Sequence, residues 1–446
     1  MKITVRIDPK EATKEGLAVI YLEDGASSLL GQLDIQFSKL ATLQNRNPKA
    51  VDLLLIAATV YALDKFVARK SAPDCWTREF AVSIPVSDEK LWNLVRDELS
   101  LSLAFLTGDL WSLQFTKLNV SIVRPRRAKR SRHITPLRGD VVCLFSGGLD
   151  SLVGAIDRLE TNQDERLLLV GHHDGDIAGP LSDQERLLER VRPFYKGRTG
   201  SVLVRVGHSP AGEDMTLRSR SLVFLALGIY AASAMGPDVP LVIPENGTIA
   251  VNVPLTPSRR GSCSTRTTHP YFLKTFQHVM GIVGLKNRLS NPLEWKTKGE
   301  VVSQCKNQPF LKQVARLSVS CAKRAHKRTW LDRSAKACGR CMPCIYRRAS
   351  LHVVGLENEK YGFDVCKGEV DLSEQDKEGP NDVRACFSFL KRQPSPKDIA
   401  TLLLTNGSLD VSRLSEYAHL VIRAMEEIRT LLRDKASPEV RFLAGI

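Results

Sequence analysis

The sequence predicts an α/β protein: a doubly wound parallel sheet carrying a cysteine-rich loop, preceded by an α+β domain and followed by a helical tail. Three observations predict it. Short apolar runs alternate with helical periodicity from Gly139 to about Glu357. One run, Val141–Phe145, turns into a helix through a Ser-Gly-Gly-Leu-Asp-Ser segment. Three cysteines stand in two overlapping Cys-x-x-Cys units near the end of this region.

At 446 residues, with 43% hydrophobic and 25% charged residues, the chain has room for two or three domains and a large core. Its net charge of +15 calls for a polyanionic ligand or partner. Ten cysteines with no export signal argue for reduced thiols and metal ligation. The longest apolar runs, Leu53–Leu63 and Leu222–Met235, are too short to cross a bilayer, so the expectation is a cytoplasmic protein with no membrane partner.

Residues 1–123 mix strand-like segments (Ile3–Ile7, Leu33–Phe37, Phe80–Pro85, Leu113–Val123) with helical ones near Ala50–Ala68 and Asp88–Leu101. They hold no catalytic constellation. Asp52, Asp64, Asp88 and Glu89 are scattered and read as solvated surface. A basic linker, 124–138, follows, with Arg124, Arg126, Arg127, Lys129, Arg130 and Arg132 at its start. It reads as a solvated connector or as a contact to a nucleic-acid backbone; without an interleaved aromatic it does not indicate base stacking.

Within 139–357, Val141–Phe145, Leu167–Gly171, Val202–Val206 and Leu241–Ile243 read as buried parallel strands. Asp150–Leu159, Ser182–Val191, Leu217–Met235 and Tyr271–Val283 read as the helices between and after them. Ligands of such a sheet lie beyond the carboxyl ends of the strands. There Ser146, Gly147, Gly148, Leu149, Asp150 and Ser151 form a sharp strand-to-helix turn. Such a turn aims backbone N–H groups and a helix N-terminus at one point, lets an anion approach closely, and adds two hydroxyl donors. It is a cradle for an oxyanion or pyrophosphate. No lysine follows the glycines, so it is not the GxxxxGK[ST] loop. With residue types used at roughly 7% each, five fixed positions recur by chance about once in a million starts. His172-His173-Asp174 ends the second strand on the same side and reads as an adenine or ribose contact or a plain loop ahead of a metal site.

Cys338, Cys341 and Cys344 place three thiolates on one tight loop, and a fourth ligand completes a tetrahedral site. Sulfur ligands at this spacing suit Zn²⁺ or an iron–sulfur cluster, and with no redox partner motif structural zinc is expected. Cys321 precedes this loop. The zinc loop spans 321–347 and would order a strongly basic stretch. Cys75, Cys143, Cys263, Cys305, Cys366 and Cys386 have no partner at ligand spacing.

The Ser-Gly-Gly-Leu-Asp-Ser turn resembles that of the PP-loop (HUP-like) ATP pyrophosphatases, which adenylate a carboxyl or amide oxygen and hold the departing pyrophosphate on this loop. Together with Cys338-Gly339-Arg340-Cys341-Met342-Pro343-Cys344 it resembles 7-cyano-7-deazaguanine synthase. Arg220-Ser221-Leu222-Val223-Phe224-Leu225, Asn291-Pro292-Leu293, Lys298-Gly299-Glu300-Val301-Val302 and Arg347 extend the likeness over about 139–357. Serine replaces that family's asparagine after the arginine, and Cys321 precedes the other cysteines by a long insertion; the resemblance implies Cys321 as the fourth zinc ligand, with His326 as the alternative. With its flanking domains the arrangement is most similar to the synthase-like QatC components of Qat anti-phage defence systems.

The resemblance implies a ligase that binds ATP on Ser146–Ser151 and His172. It implies Mg²⁺ near Asp150, charge stabilisation by Lys298, and substrate or phosphate contact by Arg220. Its substrate would be 7-carboxy-7-deazaguanine or a close 7-deazapurine, joined as an amide to an amine, with a partner protein of a defence complex as one source of that amine. A synthase releasing the free nitrile from ammonia, a PP-loop tRNA-modifying enzyme and a non-catalytic nucleotide-binding scaffold are the alternatives.

Residues 358–446 read as a polar connector and a helical region. There Leu414, Tyr417, Val421, Met425, Ile428 and Leu432 recur three or four apart on one amphipathic helix, with Asp410 as its N-cap. Packing of that helix against the catalytic domain is the default expectation.

Overall fold

The computed structural model describes the chain apart from residues 13–17, 26–27, 46, 121, 123–138, 176–178, 215, 260–264 and 369–380. The basic linker and most of the acidic connector lie outside the described residues. The strands are β1 (Lys2–Ala12), β2 (Ala18–Asp24), β3 (Leu29–Ile35), β4 (Glu79–Val86), β5 (Leu110–Lys117), β6 (Val141–Leu144), β7 (Leu167–His173), β8 (Thr199–Ser209), β9 (Leu241–Val242) and β10 (Leu289–Ser290). They form one ten-stranded sheet in the order β10-β9-β6-β7-β8-β3-β2-β1-β4-β5.

From β10 to β8 every neighbouring pair is parallel. Counted from β6 as the first strand, this half reads 3-2-1-4-5 from β8 to β10. The chain winds outward through β7 and β8, then returns to place β9 on the other side of β6. Side chains of β6 alternate between two cores. Val142 and Leu144 join the helices Pro48–Phe66, Arg220–Met235 and Pro270–Ile282, whereas Val141 and Cys143 join Leu149–Thr161 and Pro180–Phe194. Helices on both faces make this half doubly wound, which explains strands that read as unbroken apolar runs.

The N-terminal segment continues the same sheet. β3 pairs antiparallel with β8, Leu33 opposite His208 and Ile35 opposite Val206. β2 and β1 follow antiparallel, and β4 and β5 return to parallel. The predicted helix over 88–101 is broken at Val95 into Glu89–Leu94 and Arg96–Thr107. Two acids expected at the surface are buried. Asp52 accepts hydrogen bonds from the Ser87 amide (2.9 Å) and the Trp92 indole (2.9 Å). Asp64 accepts from Arg78 (2.6 Å) and Ser219 Oγ (2.7 Å). Both lie on Pro48–Phe66, a helix apolar on every side that must bury its polar groups too, and each carboxylate is matched by donors from distant segments. Asp88, half-buried, caps the Glu89–Leu94 helix as an acceptor for the Leu91 amide.

The C-terminal helices Asn381–Arg392, Pro396–Leu404, Leu414–Lys435 and Pro438–Ala444 share a second core with the cysteine loop. Tyr417, Val421, Met425, Ile428 and Leu432 are buried along Leu414–Lys435 as their spacing predicts. Asp410 caps the short 3-10 turn Val411–Arg413 ahead of that helix. The tail packs on the segment bearing Lys298: Arg423 pairs with Glu300 at 2.6 Å, and the Gly299 amide donates to Glu427 at 3.0 Å.

Candidate functional site

β6 ends at Leu144 and the Leu149–Thr161 helix begins five residues later. Gly147 turns the backbone with φ +84°, a left-handed conformation that glycine adopts without strain. Gly148 precedes the helix as its N-cap and has no side chain to cap the first turn. Within the turn, Ser146 Oγ accepts from the Gly148 amide (3.2 Å), Ser146 Oγ donates to Ser151 Oγ (3.3 Å), and Ser151 Oγ donates to Gly148 O (3.0 Å). Gln184 steadies it from below, donating to Phe145 O (3.1 Å) and His172 O (3.2 Å) at the ends of β6 and β7.

The turn opens into a cavity of about 210 Å³ lined by Ser146, Gly148, Asp150, Ser151, Glu245 and Lys298, among others. It lies where β6 and β9 part, the switch point of the parallel half, where ligands of such sheets bind. Asp150 Oδ2 accepts from Lys298 Nζ at 2.6 Å and from Asn246 Nδ2 at 2.9 Å. Its Oδ1 is buried and accepts no hydrogen bond among the described residues. Glu245 faces the same carboxylate, and burial followed by the charge of Asp150 pushes its carboxyl well above the usual range. Asp150 and Glu245 are the two carboxyls of this cavity, and with both deprotonated they could hold a hard divalent cation such as Mg²⁺. Lys298 opens the helix Lys298–Ser303, whose start is fixed by a capping box between Thr297 and Glu300.

Cys321, Cys338, Cys341 and Cys344 converge with all four sulfurs within 4.8 Å of one another, a group that can hold a zinc ion. The Cys338 amide donates to Cys321 Sγ (3.4 Å) and the Cys341 amide to Cys338 Sγ (3.3 Å). Such N–H···S bonds favour thiolates. Gly339, at φ +80°, makes the knuckle possible, since a Cβ there would meet Phe363 O at 2.1 Å. Cys321 fills the fourth position and His326 lies outside the group. The segment leading into the cysteine loop reaches the Ser146–Ser151 turn directly: the Val319 amide donates to Gly147 O (2.9 Å) and the Leu149 amide to Ser320 Oγ (3.3 Å). Arg347, fully buried, holds the preceding segment through Ser318 Oγ (2.9 Å) and Ala315 O (3.0 Å) and is itself paired with Glu359 (2.6 Å) on the segment that follows.

Of the residues expected at the site, the structure gathers Ser146, Gly147, Gly148, Leu149, Asp150, Ser151 and Lys298 around one turn and its cavity. It sets two others apart. His172 is fully buried, its Nε2 2.8 Å from Val206 O and its Nδ1 accepting from Arg220 Nε at 3.2 Å. Burial, then the Arg220 cation, push its imidazole down to about 3, so the ring is neutral. His172 and Arg220 thus support the base of the sheet's carboxyl edge and neither lines the cavity. Asp174 is buried beside them, accepting from Tyr61 (2.7 Å) and Lys65 (2.8 Å). Glu245, Asn246 and Ser320 escaped sequence reasoning. Pro244-Glu245-Asn246-Gly247 directly after the fourth parallel strand was the available signal for the first two.

No protein-family model, curated protein or solved structure matches the chain.

Proposed function

We propose that the chain is an ATP-dependent adenylating ligase of the PP-loop type, related to 7-cyano-7-deazaguanine synthase and, with its flanking regions, to the QatC components of anti-phage defence. The observation that carries this reading is the phosphate turn at the sheet's switch point, facing the Lys298–Asp150 pair and Glu245 across one cavity. The cavity of about 210 Å³ is open to solvent on one side, so it suits a polyphosphate tail with the rest of the nucleotide extending outward; a site for a whole ligand usually has about 300 Å³ or more.

In the proposed reaction the carboxylate oxygen of 7-carboxy-7-deazaguanine attacks the α-phosphorus of ATP. The P–O bond to pyrophosphate breaks, leaving an acyl adenylate. An amine then attacks the acyl carbon, AMP departs with the former carboxylate oxygen, and the amine loses a proton to solvent. The turn amides and hydroxyls hold the phosphates, and Lys298 stabilises charge developing on the leaving group, so catalysis is positioning and charge stabilisation. Asp150 and Glu245 are the carboxylates that would hold a Mg²⁺, which neutralises polyphosphate charge when bound. The four cysteines would hold a structural Zn²⁺ that fixes the loop beside the turn.

Thiolation of tRNA is disfavoured: the thiol next to the turn, Cys143, is fully buried and pushed up to about 12. The test is AMP and pyrophosphate release on adding 7-carboxy-7-deazaguanine with ammonia or a co-encoded partner protein, read with mass spectrometry. An amide adduct on the partner supports the ligase, a free nitrile supports the synthase, and no turnover with either amine source rejects adenylation.

A further inference from the structure

The cavity has a second wall built by the metal loop. Ser320, half-buried, lines the cavity one residue before Cys321, together with Cys321, Ala322 and Pro343. Its position is fixed on three sides. Val319 is tied to Gly147 O at 2.9 Å, Ser320 Oγ accepts from the Leu149 amide at 3.3 Å, and Ser320 O lies 3.7 Å from Cys344 Sγ. Three hydroxyls therefore converge on Gly148. A Cβ placed on that glycine would stand 3.2 Å from Ser146 Oγ and 3.7 Å from Ser320 Oγ.

The three hydroxyls differ in where their protons go. Ser146 donates to Ser151, and Ser151 donates to Gly148 O. Ser320 only accepts: no hydrogen bond donated by its hydroxyl is found among the described residues. A hydroxyl rotates freely and carries one proton to give. An anion seated over the turn amides presents acceptor oxygens to that proton, and a donor to a charged oxygen is stronger than one to a neutral oxygen.

We infer that Ser320 is a phosphate-binding residue, the metal loop's contribution to holding the pyrophosphate portion of a nucleoside triphosphate. This rests on the phosphate-turn reading above. It also gives the metal group a role in ligand binding, because Cys321 sets where Ser320 stands.

Titration calorimetry with inorganic pyrophosphate and with ATP tests it, on wild type, Ser320→Ala and the equal-shaped pair Ser320→Thr and Ser320→Val. Bound metal and melting temperature are measured on each. Ser320→Ala is expected to weaken pyrophosphate binding about tenfold or more with metal content unchanged, and Ser320→Thr to bind about tenfold tighter than Ser320→Val. Equal affinities for Thr and Val variants, or Ser320→Ala binding like wild type, overturn the role of Ser320. Wild type that binds neither pyrophosphate nor ATP overturns the phosphate turn itself, and with it this assignment.

Discussion

Lys298 Nζ stands 2.6 Å from Asp150 Oδ2, a contact between the first turns of two helices, with the residues 148 positions apart in sequence and both side chains buried. Asp150 also faces Glu245, so Lys298 is the cation that permits two carboxyls to share one small space. Lys298→Met leaves them uncompensated. Breaking a buried pair on one side costs about 3–5 kcal/mol, so urea denaturation is expected to show a large loss. Lys298→Met with Asp150→Asn is expected to recover part of it. A Lys298→Met protein as stable as wild type would show that the pair carries no such charge balance. AMP formation in either variant is expected to fall by about a hundredfold or more.

Gly147 and Gly148 are adjacent but serve different ends. At φ +84°, Gly147→Ala forces a left-handed alanine, a cost of about 1–2 kcal/mol, with its Cβ 3.3 Å from Gln184 Cγ. Gly148 has an ordinary extended backbone, so Gly148→Ala is expected to leave stability nearly unchanged. Its methyl would instead sit 3.2 Å from Ser146 Oγ and crowd the ligand. Melting temperature should separate the first variant from wild type, and ATP affinity the second.

One metal ion per chain is expected in protein purified without chelators, measured by elemental analysis. Cys338→Ser should abolish it and lower the melting temperature, since thiolate-bound zinc stabilises small modules by about 10 kcal/mol. Because Cys321 anchors Val319 and Ser320 against Gly147 and Leu149, metal loss should also weaken pyrophosphate binding. Full pyrophosphate affinity in a folded, metal-free variant would uncouple the two sites.

His269 is fully buried at the start of the helix Pro270–Ile282, its Nδ1 accepting from the Tyr271 amide at 3.2 Å. Burial, then Arg266, push its imidazole from 6.5 down to about 3. Between those values the unfolded chain binds a proton that the folded chain refuses. Stability therefore rises with pH across this window and falls on acidification, by at most about 1.4 kcal/mol per pH unit for each such group. His172 adds a slope of the same sign. His269→Asn retains a capping oxygen and no titration, so urea midpoints between pH 6.5 and 4.5 should fall less steeply than in wild type.

The doubly wound half was legible because buried parallel strands and their helices carry strong apolar patterns, as Val141–Phe145 and Leu167–Gly171 show. β10, two residues long, is too short for any periodicity to register. The Ser146–Ser151 turn was legible for a local reason: its residue types and its geometry occupy six consecutive positions. Glu245, Asn246 and Ser320 were not, because what brings them to the turn is contact with Asp150 and Leu149, far away in sequence. Asp52 and Asp64 misled for the same reason, since Ser87, Trp92, Arg78 and Ser219 lie on other elements and nothing local marks an acid as satisfied. Cys321 sits between these cases, its residue type suggestive and its convergence with the other three cysteines supplied by the fold.

The pairing of β3 with β8 means that the sequence's most visible boundary is not a place where the molecule comes apart. A chain begun after residue 138 would bare the open edge of β8 and the apolar flank of Arg220–Met235 that packs on Pro48–Phe66. Open strand edges recruit other chains. Such a fragment should self-associate alone and cease to do so when residues 1–122 are supplied in trans, as the two pieces of one interrupted ladder find each other again.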